Sequence, residues 1–272
     1  MNDRLPTINK LDNKLDNWQW QTWQGYSYLT CNLLSPWQHG FFTKEFYPRT
    51  PEDLAFILQP NTTAYRVKQV HGKEVLTPQE ITTAIEQGSI NFPDADAVIS
   101  DRSQQSVWVA SADCTPILIG DIKTGQVCAI HAGWRGTAQK IVESAISRFI
   151  ESGSKKDNFR VAIGPAIAGK VYQVDETVAI EVGKTIIAHG IDKTDAEILK
   201  QLKQLPNPPV LDDLPGKARL NVPRVNQIQS EQLNINPEHI AIAPYCTYQG
   251  DRFFSYRRTG EKKVQWSGIV SQ

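Results

Sequence analysis

The stretch from Pro116 to His131 restricts the backbone more than any other part of this chain. Residues 116–121 and 126–131 are apolar and rich in β-branched side chains. They flank Ile122-Lys123-Thr124-Gly125, a turn segment with Gly near its end. That pattern predicts a β-hairpin. With the turn centred between Lys123 and Thr124, His131 pairs with Pro116, and Cys114 falls two residues further along on the same face as Pro116. Diagonal neighbours across a strand pair lie about 7–8 Å apart at the backbone, within reach of two convergent side chains. A purely local hairpin can therefore bring a thiol and an imidazole together.

Around this hairpin, strand-like and helix-like segments mix. Apolar runs at 64–70, 97–100, 107–112 and 160–163 predict further strands, and 240–243 and 252–256 close the chain in the same way. Thr50-Pro51-Glu52-Asp53 opens a short helix, with a capping residue, Pro at the first helical position and acids in the first turn. Ile141, Ala145, Ile146 and Phe149 recur at helical spacing and predict a helix over 137–151. Asp175 caps a second amphipathic helix reaching about 188, and helices follow at 193–203 and 222–233. The Pro-rich loop 205–209 reads as a surface connection, and residues 1–17 as a frayed, flexible arm. Without strict βαβ alternation, the expectation is one mixed α/β domain over 18–272, built on one main sheet.

Bulk properties exclude several classes. Lys plus Arg and Asp plus Glu each total 29, so the formal net charge is zero and there is no basic footprint for nucleic acid. No apolar run approaches the roughly 18–20 residues of a membrane span. Residues 1–20 are polar and lack the apolar core of a signal peptide, so the expected location is cytoplasmic. In that compartment, free thiols or metal ligands are expected rather than disulfides. Cys31 and Cys128, set among apolar neighbours, read as inert core thiols.

Three segments carry candidate chemistry: Gln69-Val70-His71-Gly72, Ala112-Asp113-Cys114-Thr115-Pro116, and His131-Ala132-Gly133-Trp134-Arg135-Gly136-Thr137. His71 ends an apolar run before a Gly, which places it at a strand tip. One Cys and two His make a zinc-type set, and three protein ligands with an open fourth position is the pattern of catalytic zinc. The competing reading is a buried Cys and satisfied core histidines. Gly133, Arg135 and Gly136 enter the helix where free N–H groups and a guanidinium suit phosphate; the alternative is a helix cap with a surface Arg. Asp113 reads as a base, as an orienter of the ligand set, or as a cap on a nearby turn. Gly164-Pro165 and the run 253–258 could wall a pocket or be an ordinary turn and strand end, with Tyr172 or Phe253 as candidate flat surfaces.

Taken in order, QVHG, DADAVIS, SADCTPILIGD, AIHAGWRGT, AIGPAI with a following VYQV, YCTY and FFSYRR resemble the multicopper polyphenol oxidoreductase (laccase-domain) family of the YfiH type, over residues 69–258. The resemblance implies a mixed-sheet α/β sandwich with zinc ligands at His71, Cys114 and His131. It implies purine nucleoside phosphorylase activity on adenosine, inosine, guanosine and methylthioadenosine, with adenosine deamination in the same pocket. The laccase label implies copper. The expected catalytic residues are Cys114, His131 and Asp113, and the expected substrate and phosphate contacts are Gln69, Gly133 and Arg135. The chain departs from the family pattern twice. After His39-Gly40-Phe41-Phe42-Thr43 it runs straight into Lys44-Glu45-Phe46, and after FFSYRR it reads Thr259-Gly260-Glu261-Lys262-Lys263 in place of Gly-Arg. Both departures concern substrate contacts, and neither touches the metal ligands.

The histidine count separates the chemistries. A blue-copper centre plus a three-copper cluster demands several His-x-His pairs, whereas this chain has five histidines, no two of them one residue apart. Met1 is the only methionine available as a weak axial ligand. A full laccase cluster is therefore excluded, while a single copper stays an alternative to zinc. The expected partners are purine nucleosides and phosphate, acting on a monomer or homodimer. Two other classes stay open: a metal-free cysteine hydrolase with Cys114 as nucleophile and His131 as base, and a non-enzymatic binding module.

Overall fold

Alternating side chains on the central strands face different cores, and this dictates the layers. On the strand Gln105–Ser111, Val107 and Val109 belong to one apolar cluster and Trp108 to another. On Thr115–Asp121, Leu118 joins Val107 and Val109, whereas Ile117 and Ile119 join a third cluster. Strands buried on both faces need cover on both faces.

The computed structural model describes residues 17–88, 91–187 and 193–272. The arm expected at 1–17 lies, but for Asn17, outside the described residues. Instead of one main sheet there are two of six strands and a third of three. Across the first run Trp18–Trp23, Tyr26–Cys31, His39–Phe42, Gln265–Val270, Gln105–Ser111 and Thr63–Tyr65. Across the second run Ile240–Ile242, Phe159–Ile163, Thr115–Asp121, Val127–Ala132, Ala97–Ile99 and Val75–Leu76. Each mixes parallel and antiparallel pairs. The two sheets face each other across Leu29, Phe41, Val109, Leu118, Ala129 and Ala162.

Helix Pro51–Leu58 covers the outer face of the first sheet through Leu54, Ala55 and Leu58. Helix Ile141–Glu151 covers the second through Ile141, Ile146 and Phe149, each fully or almost fully buried and worth about 1.5–3 kcal/mol relative to exposure. The small sheet packs with helices Glu176–Gly183 and Asp195–Gln204 as a satellite core, which includes Val222 and Val225. The result is a mixed α/β sandwich, as expected, with two sheets where one was predicted.

The local departures have identifiable causes. The N-terminal hairpin Trp18–Trp23/Tyr26–Cys31 was not expected, yet Gln24-Gly25, both at positive φ, form its two-residue turn between alternating aromatics. The closing strand Gln265–Val270 also lay outside the expected set, and it pairs centrally with Gln105–Ser111 and His39–Phe42. The strand expected at 252–256 does not form: the Phe253 carbonyl accepts from the Arg258 guanidinium, the Arg252 carbonyl accepts from the Lys44 N–H, and the Phe254 N–H donates to the Gln265 side chain. Those groups need no neighbouring strand, and Ser255 instead caps the short helix Tyr256–Thr259. The helix expected over 137–151 is broken at Lys140, at φ 60. Gln229 donates to the Thr137 carbonyl at 2.9 Å, so that oxygen is satisfied without a continuous helix. The helix opened by Asp175 ends at Gly183, and residue 188 is outside the described residues.

Candidate metal centre

The hairpin register is the expected one: Pro116 pairs with His131 and Thr115 with Ala132. Cys114 sits just before the first strand, beside the end of the second. His71 arrives from a segment that leaves the first sheet. Thr63–Tyr65 pairs with Gln105–Ser111, and further along the Gln69 side chain takes over from backbone. Its amide donates to the Ala110 carbonyl at 2.8 Å and accepts from the Ala110 N–H at 2.7 Å. Ladder geometry thus extends to within two residues of His71.

His71 then adopts φ 62, a left-handed conformation uncommon for a residue with a side chain. One carboxylate holds it there. Asp96, fully buried, accepts from the backbone N–H of Val70 at 3.1 Å, His71 at 2.9 Å and Gly72 at 2.6 Å. The same carboxylate accepts from His131 Nδ1 at 2.8 Å. That bond fixes the tautomer of His131 and leaves Nε2 free to act as a ligand. Asp96 therefore fixes the backbone of one histidine and the ring of the other. It lies inside the DADAVIS motif but was not singled out from sequence. The signal was present, since a carboxylate at the head of an apolar strand demands compensation.

The outcome is a three-residue set. Ligand atoms of His71, Cys114 and His131 lie within 4.8 Å of one another, and among the described residues no other group of this kind occurs. The two imidazoles meet edge to face, with centroids 4.9 Å apart. His71 is exposed, Cys114 half-buried and His131 buried, so the set is open on one side. Gly133 makes the room: a Cβ there would stand 3.0 Å from Cys114 Sγ and 3.3 Å from the His71 ring. Gly136 admits the Gly72 carbonyl, which a Cβ would meet at 2.9 Å. The two glycines of the GWRG segment thus close the wall around the trio.

The electrostatics suit a divalent cation. Burial pushes the Cys114 thiol up, but hydrogen bonds from His131 and His71 outweigh it and bring the pKa down to about 6. Burial pulls His131 down, but Asp96 and the Cys114 thiolate outweigh it and raise the pKa to about 9. Asp96 itself is pushed up by burial and held below the usual carboxylate range by His131 and Gly72. A thiolate, two imidazoles and a carboxylate behind one of them suit a metal ion held by three protein ligands.

The other expected residues are placed as follows. Both oxygens of Asp113 are engaged, Oδ1 by the Thr247 hydroxyl at 2.6 Å and Oδ2 by the Arg257 N–H at 2.7 Å. Its backbone carbonyl accepts from Ile167 at 3.0 Å. Asp113 ties three loops to the residue beside Cys114. Arg135 is exposed, its guanidinium 4.3 Å over the Trp134 ring, on a helix of only five residues. Tyr172 lies by Cys114, and its hydroxyl is pushed up to about 12, by burial first and then by the Cys114 charge. Phe253 is core, packed against Trp20, and Gly164 sits against Phe41 between the sheets. Cys31 and Cys128 are buried free thiols, both with raised pKa.

Two facing mixed sheets with a His–Cys–His set at the end of a central hairpin define an α/β protein with an open, three-ligand candidate metal centre. The chain belongs to the multi-copper polyphenol oxidoreductase laccase family, whose model matches residues 52–271. It is 53% identical over 258 residues to a purine nucleoside phosphorylase of Synechocystis, covering 94% of this chain and 98% of that one. A purine nucleoside phosphorylase of Bacteroides thetaiotaomicron is 28% identical over 223 residues, covering 81% and 74%. Among solved structures, YlmD of Geobacillus stearothermophilus superposes with a TM-score of 0.76 at 23% identity, over 93% of this chain and 98% of that one. The YfiH protein of Bacillus licheniformis gives 0.74 at 22%, over 93% and 99%. These two likenesses establish the fold. No described helix is long and apolar enough to cross a membrane.

Proposed function

We propose that this chain is a zinc-dependent purine nucleoside phosphorylase, acting on adenosine, inosine, guanosine and methylthioadenosine, with adenosine deamination as a side activity. The observation that carries the reading is the open His71–Cys114–His131 set in the wall of a mainly apolar cavity of about 370 Å³. The name of the Synechocystis relative supports the substrate class. In phosphorolysis an oxygen of hydrogen phosphate bonds to ribose C1′ as the C1′–N9 bond breaks. The electron pair leaves with the base, and the proton lost by hydrogen phosphate ends on it.

His71, Cys114 and His131 would hold the zinc, which would supply Lewis acidity at the cavity wall. Asp96 keeps His131 Nδ1 protonated, and Gly133 leaves the space the ligands converge on. Arg135, with no side-chain acceptor among the described residues, is available to phosphate. Gln69, its amide bound at both ends by Ala110, holds the wall. Asp113 holds the loops that carry Arg257 and Thr247 rather than facing substrate with a free oxygen.

Zinc is preferred to a copper cluster because the other described histidines are committed elsewhere. His39 is bonded to Cys31 and Trp37, and His239 faces Arg160. One geometric observation supports a second reading. Cys114, His131 and Asp96 stand in the order of a nucleophile, base and orienting acid. Alkylation separates the two, since a zinc-bound thiolate resists until the metal is chelated, whereas a free nucleophile reacts at once.

The direct test is metal analysis alongside nucleoside turnover, with and without phosphate, for wild type and His71→Ala. We expect about one zinc per chain, base release that requires phosphate, and loss of both in the variant. Base release without phosphate, or full activity in Cys114→Ala, would sink the proposal.

A further inference from the structure

Two cavities open onto Cys114, and Cys114 is the one residue that lines both. Their walls differ in chemistry. The larger, about 370 Å³, holds the three ligands; its wall is mainly apolar, with Val67, Ala110, Ala112, Val264 and Trp266, and its charged lining is the exposed Lys262 and the Lys263–Glu261 ion pair. The second is a narrow slot bounded by Gly133, Trp134 and Tyr172. Trp134 and Tyr172 continue into a third cavity of about 240 Å³, whose wall includes Arg257 and Lys217. The path from Cys114 on that side ends at two cations, Arg257 and Lys217, and one carboxylate, Asp175.

Two guanidiniums stack on the rings that bound this side: Arg257 lines the third cavity itself, and Arg135 lies on the Trp134 ring without lining it. Arg257 lies 5.0 Å over the Tyr172 ring, and Arg135 lies 4.3 Å over the Trp134 ring. Lys217 is already paired with Asp175. Arg257 uses Nη1 on the Gln173 carbonyl at 3.0 Å and keeps its remaining donors. Its backbone is fixed by the Asp113 carboxylate, one residue from Cys114. Arg135 has no hydrogen-bond acceptor or acidic partner among the described residues. Guanidiniums stacked on aromatic rings, with free N–H groups directed elsewhere, are suited to bidentate binding of a tetrahedral oxyanion. An apolar wall is the reverse: it penalises a dianion and favours a flat, weakly hydrated base.

We infer that the cavity between Trp134 and Tyr172 takes inorganic phosphate, held by Arg135 and Arg257, while the Val67–Trp266 cavity takes the purine. The two reactants then reach the ribose from separate directions, with Cys114 at the junction. This rests on the phosphorylase reading for the identity of the substrates and extends it by Arg257 and by the division of the site. Sequence alone left Arg257 in a run that could wall a pocket or be an ordinary strand end.

The experiment is steady-state phosphorolysis of inosine by zinc-loaded wild type, Arg135→Met, Arg257→Met and Val264→Trp, with zinc content and circular dichroism measured on each. Each Arg variant should raise the KM for phosphate roughly 10-fold or more, the scale of one charge-assisted hydrogen bond, with the KM for inosine and the bound zinc unchanged. Val264→Trp should do the opposite, raising the KM for inosine alone. A rise in the inosine KM in the Arg variants, or an unchanged phosphate KM in both, overturns the division. If wild type shows no phosphate-dependent turnover, the phosphorylase reading fails by itself. Titration of the zinc-loaded proteins with inorganic phosphate, followed by 31P line broadening, then decides the anion site. Binding by wild type that weakens in both Arg variants supports it, and equal or absent binding overturns it.

Discussion

His39 and His131 sit on strands of opposite sheets and are similarly buried, at 5% and 3% exposure, yet they have opposite chemistry. Backbone encloses His39. Nε2 accepts from the Cys31 N–H at 2.8 Å, and Nδ1 donates to the Trp37 carbonyl at 2.8 Å. An N–H can only donate and a carbonyl only accept, so the partners dictate one neutral tautomer. Burial pulls the pKa down to about 4, against the two hydrogen bonds. His131 faces a carboxylate and a thiol, and the same burial is outweighed, to about 9. Depth in the core therefore does not mark a functional histidine. The charge its partners carry does.

Breaking either histidine should expose the difference. The largest effect is expected from His131→Ala or Cys114→Ala, which should abolish zinc retention and turnover together. His39→Gln should keep the metal and lose only stability. Metal analysis of the purified variants checks this, and zinc loss in His39→Gln would undo the comparison.

Next in size is the pH dependence of His39. Its folded pKa of about 4 lies below the ordinary 6.5, so protons favour the unfolded chain. Stability should be full above pH 6.5 and fall by up to about 1.4 kcal/mol per pH unit down to pH 4, roughly 3 kcal/mol in total. Denaturant melts from pH 7 to 4 on wild type and His39→Gln would show that slope in the first and a shallower one in the second.

Asp96→Asn should be smaller again. An amide offers one acceptor oxygen where the carboxylate serves four N–H groups. Zinc affinity is expected to drop about 10–100-fold, read by competition with a chromogenic chelator. An unchanged affinity would mean that His131 needs no orienting partner. The subtlest effect is protonic. At pH 7.5 the metal-free trio holds Cys114 as thiolate and His131 protonated, so zinc loading should release about one proton from His131. Calorimetry in buffers of different ionisation enthalpy would measure it. Affinity should also fall as pH drops through about 6, where Cys114 takes up a proton.

The hairpin and its register were legible in the sequence. Alternation, length and a four-residue turn decide a local pairing, so Pro116 opposite His131, and with it the approach of Cys114, followed from residues 114–131 alone. The helical stripe of Ile141, Ala145, Ile146 and Phe149 was legible for the same reason. Elements that depend on distant partners were not. Gln265–Val270 carries a Ser-Gly pair that weakens its strand signal, and it is a strand because two neighbours pair with it. Residues 252–256 have strand composition, but their polar groups go to the Arg258 guanidinium, the Lys44 N–H and the Gln265 side chain instead of a ladder.

The candidate centre divides along the same line. Sequence by itself determined the hairpin half, Cys114 and His131, because backbone pairing over a short loop has few alternatives. It supplied His71 mostly through resemblance. What brings His71 within ligand distance is tertiary: Gln69 paired to Ala110, and the buried Asp96 binding three consecutive N–H groups across the sandwich. A buried carboxylate must be satisfied by whatever donors surround it, and which donors those are is decided only when the two sheets close on each other.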